Sequence, residues 1–342
     1  MGQTVKVAVL GGGSFGTVIA NIIALNGHRV TLWLRNAERA AEINREHRNS
    51  VYLPEYELSA SLRACTELNS VVSDSDIIFM AVPSSSCREV SQTVASGIKD
   101  NAIVVSTTKG IEPGGFKLMS EVLAEELPAA RVAVLSGPNL AREIAAGQMT
   151  GTVVASVDQE VQIIVQNLLK SSNFRVYANT DVYGVELGGA LKNIYAIVSG
   201  IGAAMSLGQN TIGMLLTRSL AEMSRFAVKL GANPMTFLGL SGVGDLIVTC
   251  MSPLSRNYQL GFQIGQGKEL NDIVSDLGQV AEGLNTLKIV KGKADELDVY
   301  MPLVSGLYAI LVDKQNVANV IAGLMDGEQS QDVEFMQDKL YD

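Results

Sequence analysis

Residues 5–17 read VKVAVLGGGSFGT, an apolar run that stops at three glycines and passes directly into helix-forming sequence. Val5–Leu10 has the composition of a buried strand, Val18–Leu25 continues as a helix closed by Asn26-Gly27, and Val30–Leu34 reads as the next strand. Within this unit Gly11, Gly13 and Gly16 fall in the spacing G-x-G-x-x-G. Each glycine has a task there: Gly11 makes a tight turn, Gly13 lets backbone approach a pyrophosphate, and Gly16 lets helix pack on strand. The helix start adds a positive end that faces the anion. The unit therefore predicts a dinucleotide site.

Two other phosphate or catalytic motifs overlap the same residues and fail. Gly12-Gly13-Ser14-Phe15-Gly16 matches the nucleophile elbow G-x-S-x-G, which needs a histidine later in the chain, and no histidine lies beyond His47. A P-loop needs lysine where Thr17 stands.

Outward from this unit, Asp76–Val82, Ile103–Ser106, Val132–Leu135, Thr152–Ser156 and Phe174–Tyr177 are further strand candidates, most of them continuously apolar. Strands buried on both faces and spaced by helical sequence predict a parallel sheet. From about Asp181 strand signals fade and helical periods take over at Thr211–Leu230, Arg256–Gln266, Gly283–Leu297 and Leu303–Val312. The expected fold is α/β: a Rossmann-like parallel-sheet domain over residues 1–188, then an all-helical domain over residues 189–342 that carries substrate and catalytic groups. At 342 residues and 47% apolar content the chain is long enough for two cores. The acidic C-terminal segment is expected to fray.

Val182–Leu207 is long and apolar enough to raise the question of a membrane span. Glu186, Lys192, Asn193 and the glycines Gly184, Gly188, Gly189, Gly200 and Gly202 argue instead for a buried helix against which another backbone packs. No stable membrane insertion is expected. A net charge of −9 argues against a nucleic-acid partner and against an anionic membrane surface. Cys65, Cys87 and Cys250 form no C-x-x-C pair, and no basic segment followed by an apolar one opens the chain, so a reducing cytoplasm is the expected setting. His28 and His47 are the two imidazoles, too few for a His-based metal site, and no metal is expected.

The second strand ends Trp33-Leu34-Arg35. An acidic residue there would bind the ribose hydroxyl of NAD; a cation suits the 2′-phosphate of NADP, which is therefore the preferred cofactor with NAD second. A solvent-facing arginine is the alternative reading of Arg35.

Carbonyl reduction requires a proton donor for the forming alkoxide. His28 sits in a helix–strand turn, His47 lies in a charged stretch, and Tyr-x-x-x-Lys does not occur. Lys192 remains, the sole cation between Val176 and Thr217, on an apolar helical run. A lone ammonium in such a setting needs a partner or a lowered pKa, which suits an acid–base role; the alternative is a lysine whose stem runs along the helix to solvent. Asp245 begins a short apolar helix, either as a cap or as the carboxylate that holds Lys192. Ser255-Arg256-Asn257 opens another helix with a hydroxyl, a guanidinium and an amide, either an ordinary capped start or a phosphate cradle.

Taken together the chain resembles the bacterial type of NAD(P)-dependent glycerol-3-phosphate dehydrogenase. The resemblance is carried by GGGSFGT at 11–17, NGHRVTLW at 26–33, TTKG at 107–110, SGP at 136–138, GVELGGALKN at 184–193, TRSLAEMSR at 217–225, GVGDLIVTC at 242–250, SRN at 255–257 and GQVAEG at 278–283. It implies reversible hydride transfer between NAD(P)H and dihydroxyacetone phosphate, giving sn-glycerol 3-phosphate for glycerophospholipid synthesis, in a cytoplasmic homodimer. It implies that Lys192 is the general acid/base, with Lys109 and Asp245 completing the catalytic set. Gly137, Asn139, Asn193, Thr249, Ser255, Arg256 and Asn257 would join these three in holding the small-molecule phosphate substrate. Gly11, Gly13, Ser14, Phe15, Gly16, Arg35, Lys109, Ala141, Arg256, Val280 and Glu282 would line the cofactor.

Three positions depart from the family pattern. Asn139 replaces the usual Ser or Thr, Ile212-Gly213 lacks a basic residue, and Tyr258 stands where a second arginine is common. These changes keep open a related phospho-polyol or β-hydroxyacid dehydrogenase. A dinucleotide-binding regulator without catalysis is the alternative of a different class, and the set Lys109, Lys192 and Asp245 argues against it.

Overall fold

The computed structural model describes residues 5–277 and 282–326; Val280 and the acidic segment from Gly327 onward lie outside the described residues. By backbone packing the chain divides into two compact units, Met1–Glu186 and Leu187–Asp342.

The first unit alternates strand and helix: β1 (Lys6–Leu10), α1 (Ser14–Leu25), β2 (Arg29–Trp33), α2 (Ala37–Glu46), β3 (Arg63–Cys65), α3 (Leu68–Ser73), β4 (Ile77–Met80), α4 (Ser84–Val94), β5 (Ile103–Ser106), α5 (Met119–Glu126), β6 (Arg131–Ser136), α6 (Ala141–Ala145), β7 (Thr150–Ala155), α7 (Gln159–Leu169) and β8 (Phe174–Asn179). The strands form one sheet in the order β3-β2-β1-β4-β5-β6-β7-β8. Its direction of winding reverses between β1 and β4, the place where open α/β sheets bind ligands.

Both faces of the sheet are covered, which is why its strands read as unbroken apolar runs. Val7 and Val9 of β1 join Ile77 and Phe79 of β4 in one core with α1 and α7, while Ala8, Leu10, Ile78 and Met80 join a second core with α4 and α5. One expectation needs correcting, because β6 and β7 run antiparallel. The connection between them holds only the short α6, which cannot carry the chain back along the sheet as a parallel crossover requires. The three-residue β3, with exposed Arg63, offered too little pattern to be read from sequence.

A side-chain amide occupies outward-facing backbone groups at each edge of the sheet. Asn44 on α2 donates to Ala64 O and accepts from Ala64 N–H, each at 2.9 Å, at the outer edge of β3. At the other edge Gln166 on α7 donates to Val176 O of β8 at 3.0 Å.

The second unit is helical: α8 (Val182–Ala204, which begins before the division), α9 (Gln209–Lys229), a 3-10 turn at Pro234–Leu238, a π turn at Leu240–Gly244, α10 (Asp245–Met251), α11 (Arg256–Gly265), α12 (Leu270–Leu277), α13 (Glu282–Glu296), α14 (Pro302–Leu311) and α15 (Val317–Met325). The four helical periods read from sequence correspond to α9, α11, α13 and α14. The apolar run at Val182 is α8, a buried helix, and no helix among the described residues is long and apolar enough to cross a membrane. Glycines set how closely it packs: a Cβ on Gly200 would lie 2.1 Å from Tyr258 O, and one on Gly261 1.9 Å from Ile197 O, so α8 and α11 touch backbone to backbone.

Near its start α8 carries a buried carboxyl, Glu186, which accepts from Ser120 N–H at 3.0 Å and Ser120 Oγ at 2.5 Å at the first turn of α5. Burial pushes this carboxyl up to about 7 against the pull of the Ser120 donors.

Candidate active site

The glycine loop sits where the sheet reverses. Gly11 has φ +126°, and a Cβ there would lie 2.3 Å from Ala81 O, just past β4. A Cβ on Gly16 would lie 2.0 Å from Gly11 O, so only glycine lets α1 start this close to the turn. Gly13 differs: a Cβ there meets nothing within 4 Å, and no side chain caps the first turn of α1. Packing within the fold therefore does not require glycine at this position, and the backbone there is open to an approaching group.

Around this loop the structure gathers other residues picked out in the sequence. Ser14 Oγ donates to Tyr52 O at 3.3 Å, Phe15 and Ala141 pack partly buried on the core, and Arg35 is exposed just past β2. Lys109, in the loop after β5, donates to Gly137 O at 2.9 Å, and Gly137 has φ +139°. Asn139 Nδ2 donates to Thr152 Oγ1 at 3.0 Å, leaving Asn139 Oδ1 buried without a hydrogen-bond partner. The hydroxyls of Ser106 and Ser136, at the C-terminal ends of β5 and β6, are likewise buried and unpartnered. An open Gly13, an uncapped helix start and spare polar atoms at the strand ends fit a dinucleotide and its reaction partner.

In the helical unit Lys192 and Asp245 meet although 53 residues separate them in sequence. Lys192 Nζ donates to Asp245 Oδ1 at 2.5 Å and to Thr249 Oγ1 at 2.6 Å. The side chains are 8% and 1% exposed, so the lysine does not reach out along its helix, and Asp245 turns to the ammonium rather than capping its own. Thr249 in turn donates to Asp245 O at 2.6 Å, which fixes its hydroxyl beside the amine. A carboxylate and a hydroxyl thus orient this buried amine.

Next along α8, buried Asn193 lies beside a second junction. Asn257 Oδ1 accepts from Gly283 N–H at 3.1 Å, and a Cβ on Gly283 would lie 2.9 Å from Asn193 O. Ser255 caps α11 by accepting from Tyr258 N–H, while Arg256 is exposed at the first position of that helix. The starts of α11 and α13 are thus joined beside Asn193, and Glu282 stands at the start of α13. The helix start combines a cap with a guanidinium and an amide, a donor set suited to phosphate.

Comparison with known proteins bears on what this arrangement is for. Models of the NAD-dependent glycerol-3-phosphate dehydrogenase family match residues 6–162 with the N-terminal part and 181–322 with the C-terminal part. The chain belongs to this family. A glycerol-3-phosphate dehydrogenase [NAD(P)+] of Saccharophagus degradans is 58% identical over 98% of this chain and 94% of its own length. One from Teredinibacter turnerae is 56% identical over 98% of both. The crystal structure of glycerol-3-phosphate dehydrogenase from Coxiella burnetii superposes with a TM-score of 0.90 at 34% identity, covering 94% of this chain and 99% of that one.

As a member of the glycerol-3-phosphate dehydrogenase family the chain also shows contacts that its sequence did not disclose. Asn49 Nδ2 donates to Gly12 O at 3.1 Å and to Thr17 Oγ1 at 2.9 Å, bracing the glycine loop. In the helical unit Glu222 accepts from Leu303 N–H at 2.7 Å at the start of α14. Asn49 stands in none of the quoted stretches, and Glu222, although inside 217–225, has no neighbour spacing that implies these contacts. His28 and His47 both lie in the first unit, and no group of ligating side chains suited to a metal is present among the described residues.

Proposed function

We propose that this protein catalyses the reversible NAD(P)H-dependent reduction of dihydroxyacetone phosphate to sn-glycerol 3-phosphate. The observation that carries the reading is the buried ammonium of Lys192, fixed by Asp245 and Thr249 in a chain that matches its family along nearly its full length. The nicotinamide, when bound, supplies the hydride and takes it back in the reverse direction. Lys192 supplies the proton: its ammonium protonates the carbonyl oxygen as charge develops there, and the neutral amine takes the proton back from the alcohol in oxidation. Asp245 holds the ammonium in place and stabilises its charged form, and Thr249 fixes the direction of the Nζ donors.

Residues 1–188 serve as the dinucleotide domain and residues 189–342 as the substrate and catalytic domain in this reading. Gly11, Gly13, Ser14, Phe15, Gly16, Arg35 and Ala141 hold the cofactor, with Val280 and Glu282 adding to it. Ser255, Arg256 and Asn257 hold the substrate phosphate, where Arg256 also borders the cofactor. Lys109, Gly137, Asn139 and Asn193 contact the reacting end of the substrate. NADP is the preferred cofactor because Arg35 stands where an acidic residue would select NAD. The product feeds glycerophospholipid synthesis in the cytoplasm, and the working form is a homodimer.

The test is direct. Purified protein mixed with NADPH or NADH and dihydroxyacetone phosphate should oxidise the nicotinamide and form sn-glycerol 3-phosphate. Oxidation with a hydroxyacid or another phosphorylated polyol, but not with this pair, would replace the substrate assignment.

A further inference from the structure

Just past β2 there is a second guanidinium that no motif identifies. Arg39 lies in the first turn of α2, and its N–H donates to Asn36 Oδ1 at 2.8 Å, which keeps it within one turn of Arg35. Its guanidinium carbon lies 4.8 Å from the centre of the Tyr52 ring. Nε is buried without a partner, and no carboxylate or carbonyl among the described residues accepts from this guanidinium. Of the nearby acids on the same helix, Glu42 is engaged by Ser50 N–H at 3.3 Å and Glu38 is exposed. In a chain of net charge −9, this guanidinium is thus seated over a ring with no protein acceptor among the described residues.

Its platform belongs to the glycine loop. Tyr52 O accepts from Ser14 Oγ, and Asn49, three residues earlier, donates to Gly12 O. Gly12 packs on the strand end, since a Cβ there would lie 2.8 Å from Leu34 Cβ. The contacts run from Leu34 through Gly12, Ser14 and Tyr52 to Arg39, and return to the strand end through Asn36. Such a ring surrounds the place where a Rossmann sheet holds the adenosine ribose.

We infer that Arg39, stacked on Tyr52, is a second cation for the adenosine 2′-phosphate and, with Arg35, sets the preference for NADP(H) over NAD(H). The inference rests on the dinucleotide reading above and deepens it. The ring holds the guanidinium in place before the ligand arrives, so its N–H donors meet a phosphate with less loss of side-chain freedom. Arg35, exposed and unstacked, supplies charge without that preorganisation.

Calorimetric titration of the purified protein with 2′,5′-ADP and with 5′-AMP isolates the 2′-phosphate, because the two ligands differ in that group alone. Arg39→Met keeps a linear stem over Tyr52 and should weaken 2′,5′-ADP by about 10- to 100-fold while 5′-AMP changes by less than about twofold. Arg39→Lys should recover part of the loss, and added salt should narrow the wild-type difference between the ligands. Equal weakening of both ligands in Arg39→Met would overturn the inference, showing that Arg39 only props Tyr52. A wild type that does not distinguish the ligands would overturn it as well. In both cases turnover of dihydroxyacetone phosphate with NADH would leave the proposed function standing, whereas a wild type that binds neither nucleotide would remove the dinucleotide reading and this inference together.

Discussion

Tyr195 Oη donates to Glu222 Oε2 at 3.2 Å, and Tyr195 stands three residues after Lys192 on α8. The same carboxyl accepts from Leu303 and Val304 N–H groups, so one buried group joins the helix of Lys192 to α9 and to the start of α14. Burial pushes Glu222 up to about 7, although the Leu303 and Val304 donors and Tyr195 pull the other way.

Glu222 and Glu186 together predict an acid-favoured stability. Each rises from an ordinary 4.5 to about 7 on folding, so between those values the folded chain holds more protons than the unfolded one. Stability should be greatest at the low end of this window, fall as pH rises through it, and level off above. Carboxylates held low by cations, such as Glu112 beside Arg88 and Asp76 beside Lys99, lose stability in the opposite direction but at lower pH. Thermal melts from about pH 5 to about pH 8 read the slope, and Glu186→Gln and Glu222→Gln should each flatten it. A melting temperature that rises through the window in wild type and variants alike would contradict the assignment.

Replacement of Lys192 by Met removes the proton donor and leaves the first unit untouched. Turnover should fall by ~10²–10⁴-fold with NADPH affinity retained. Steady-state rates beside a nucleotide titration check both halves, and a variant within a fewfold of wild type would deprive Lys192 of its role.

Asp245→Asn keeps the shape of the site but leaves the buried ammonium facing a neutral amide. Breaking a buried pair from one side costs about 3–5 kcal/mol, so chemical denaturation should show a clear loss of stability. The amine also loses the acceptor that orients it, so turnover of the folded variant should fall as well. Wild-type turnover in the folded variant would mean that Asp245 does not position the lysine.

The glycines of the loop should separate folding from binding. Gly16→Ala forces a Cβ against Gly11 O and should lower the melting temperature, whereas Gly13→Ala meets open space and should leave it close to wild type. Nucleotide affinity should drop in both. If Gly13→Ala binds NADPH as well as wild type does, the pyrophosphate does not approach that residue.

Arg256→Ala removes a cation from the start of α11 without touching Lys192. Catalytic efficiency with dihydroxyacetone phosphate should fall by about 2 kcal/mol, and dephosphorylated substrate should discriminate less between variant and wild type. Equal losses on both substrates would show that Arg256 does not read the phosphate.

What the sequence disclosed follows the reach of its signals. Strands buried on two faces announce themselves as apolar runs, and the glycine loop carries its mechanism in its spacing, so β1, β2, β4, β5 and α1 could be read directly. β6, β7 and β8 could be placed as well, but the reversed direction of β7 could not, because it depends on how far α6 carries the chain rather than on the residues of the strand. Lys192 stood out because charge is scarce around it, and Asp245 because it starts a short apolar helix. Their meeting, and the bonds from Asn49, Glu222 and Asn257, arise from contacts between residues far apart in sequence, which leave no local pattern.

The amides at the sheet edges bear on how copies of this protein meet. Leu34 N–H bonds Cys65 O, so the N–H and C=O of Ala64 point away from the sheet, and Asn44 occupies both. Thr150 N–H bonds Asn173 O and Ser156 N–H bonds Asn179 O, which leaves Val176 O facing outward to Gln166. An incoming strand would first have to break these bonds, and it would gain back only what it displaced. Crowded chains are thereby discouraged from zipping together through their sheets, and trimming Asn44 to alanine would reopen a template for aggregation while sparing every group assigned to chemistry.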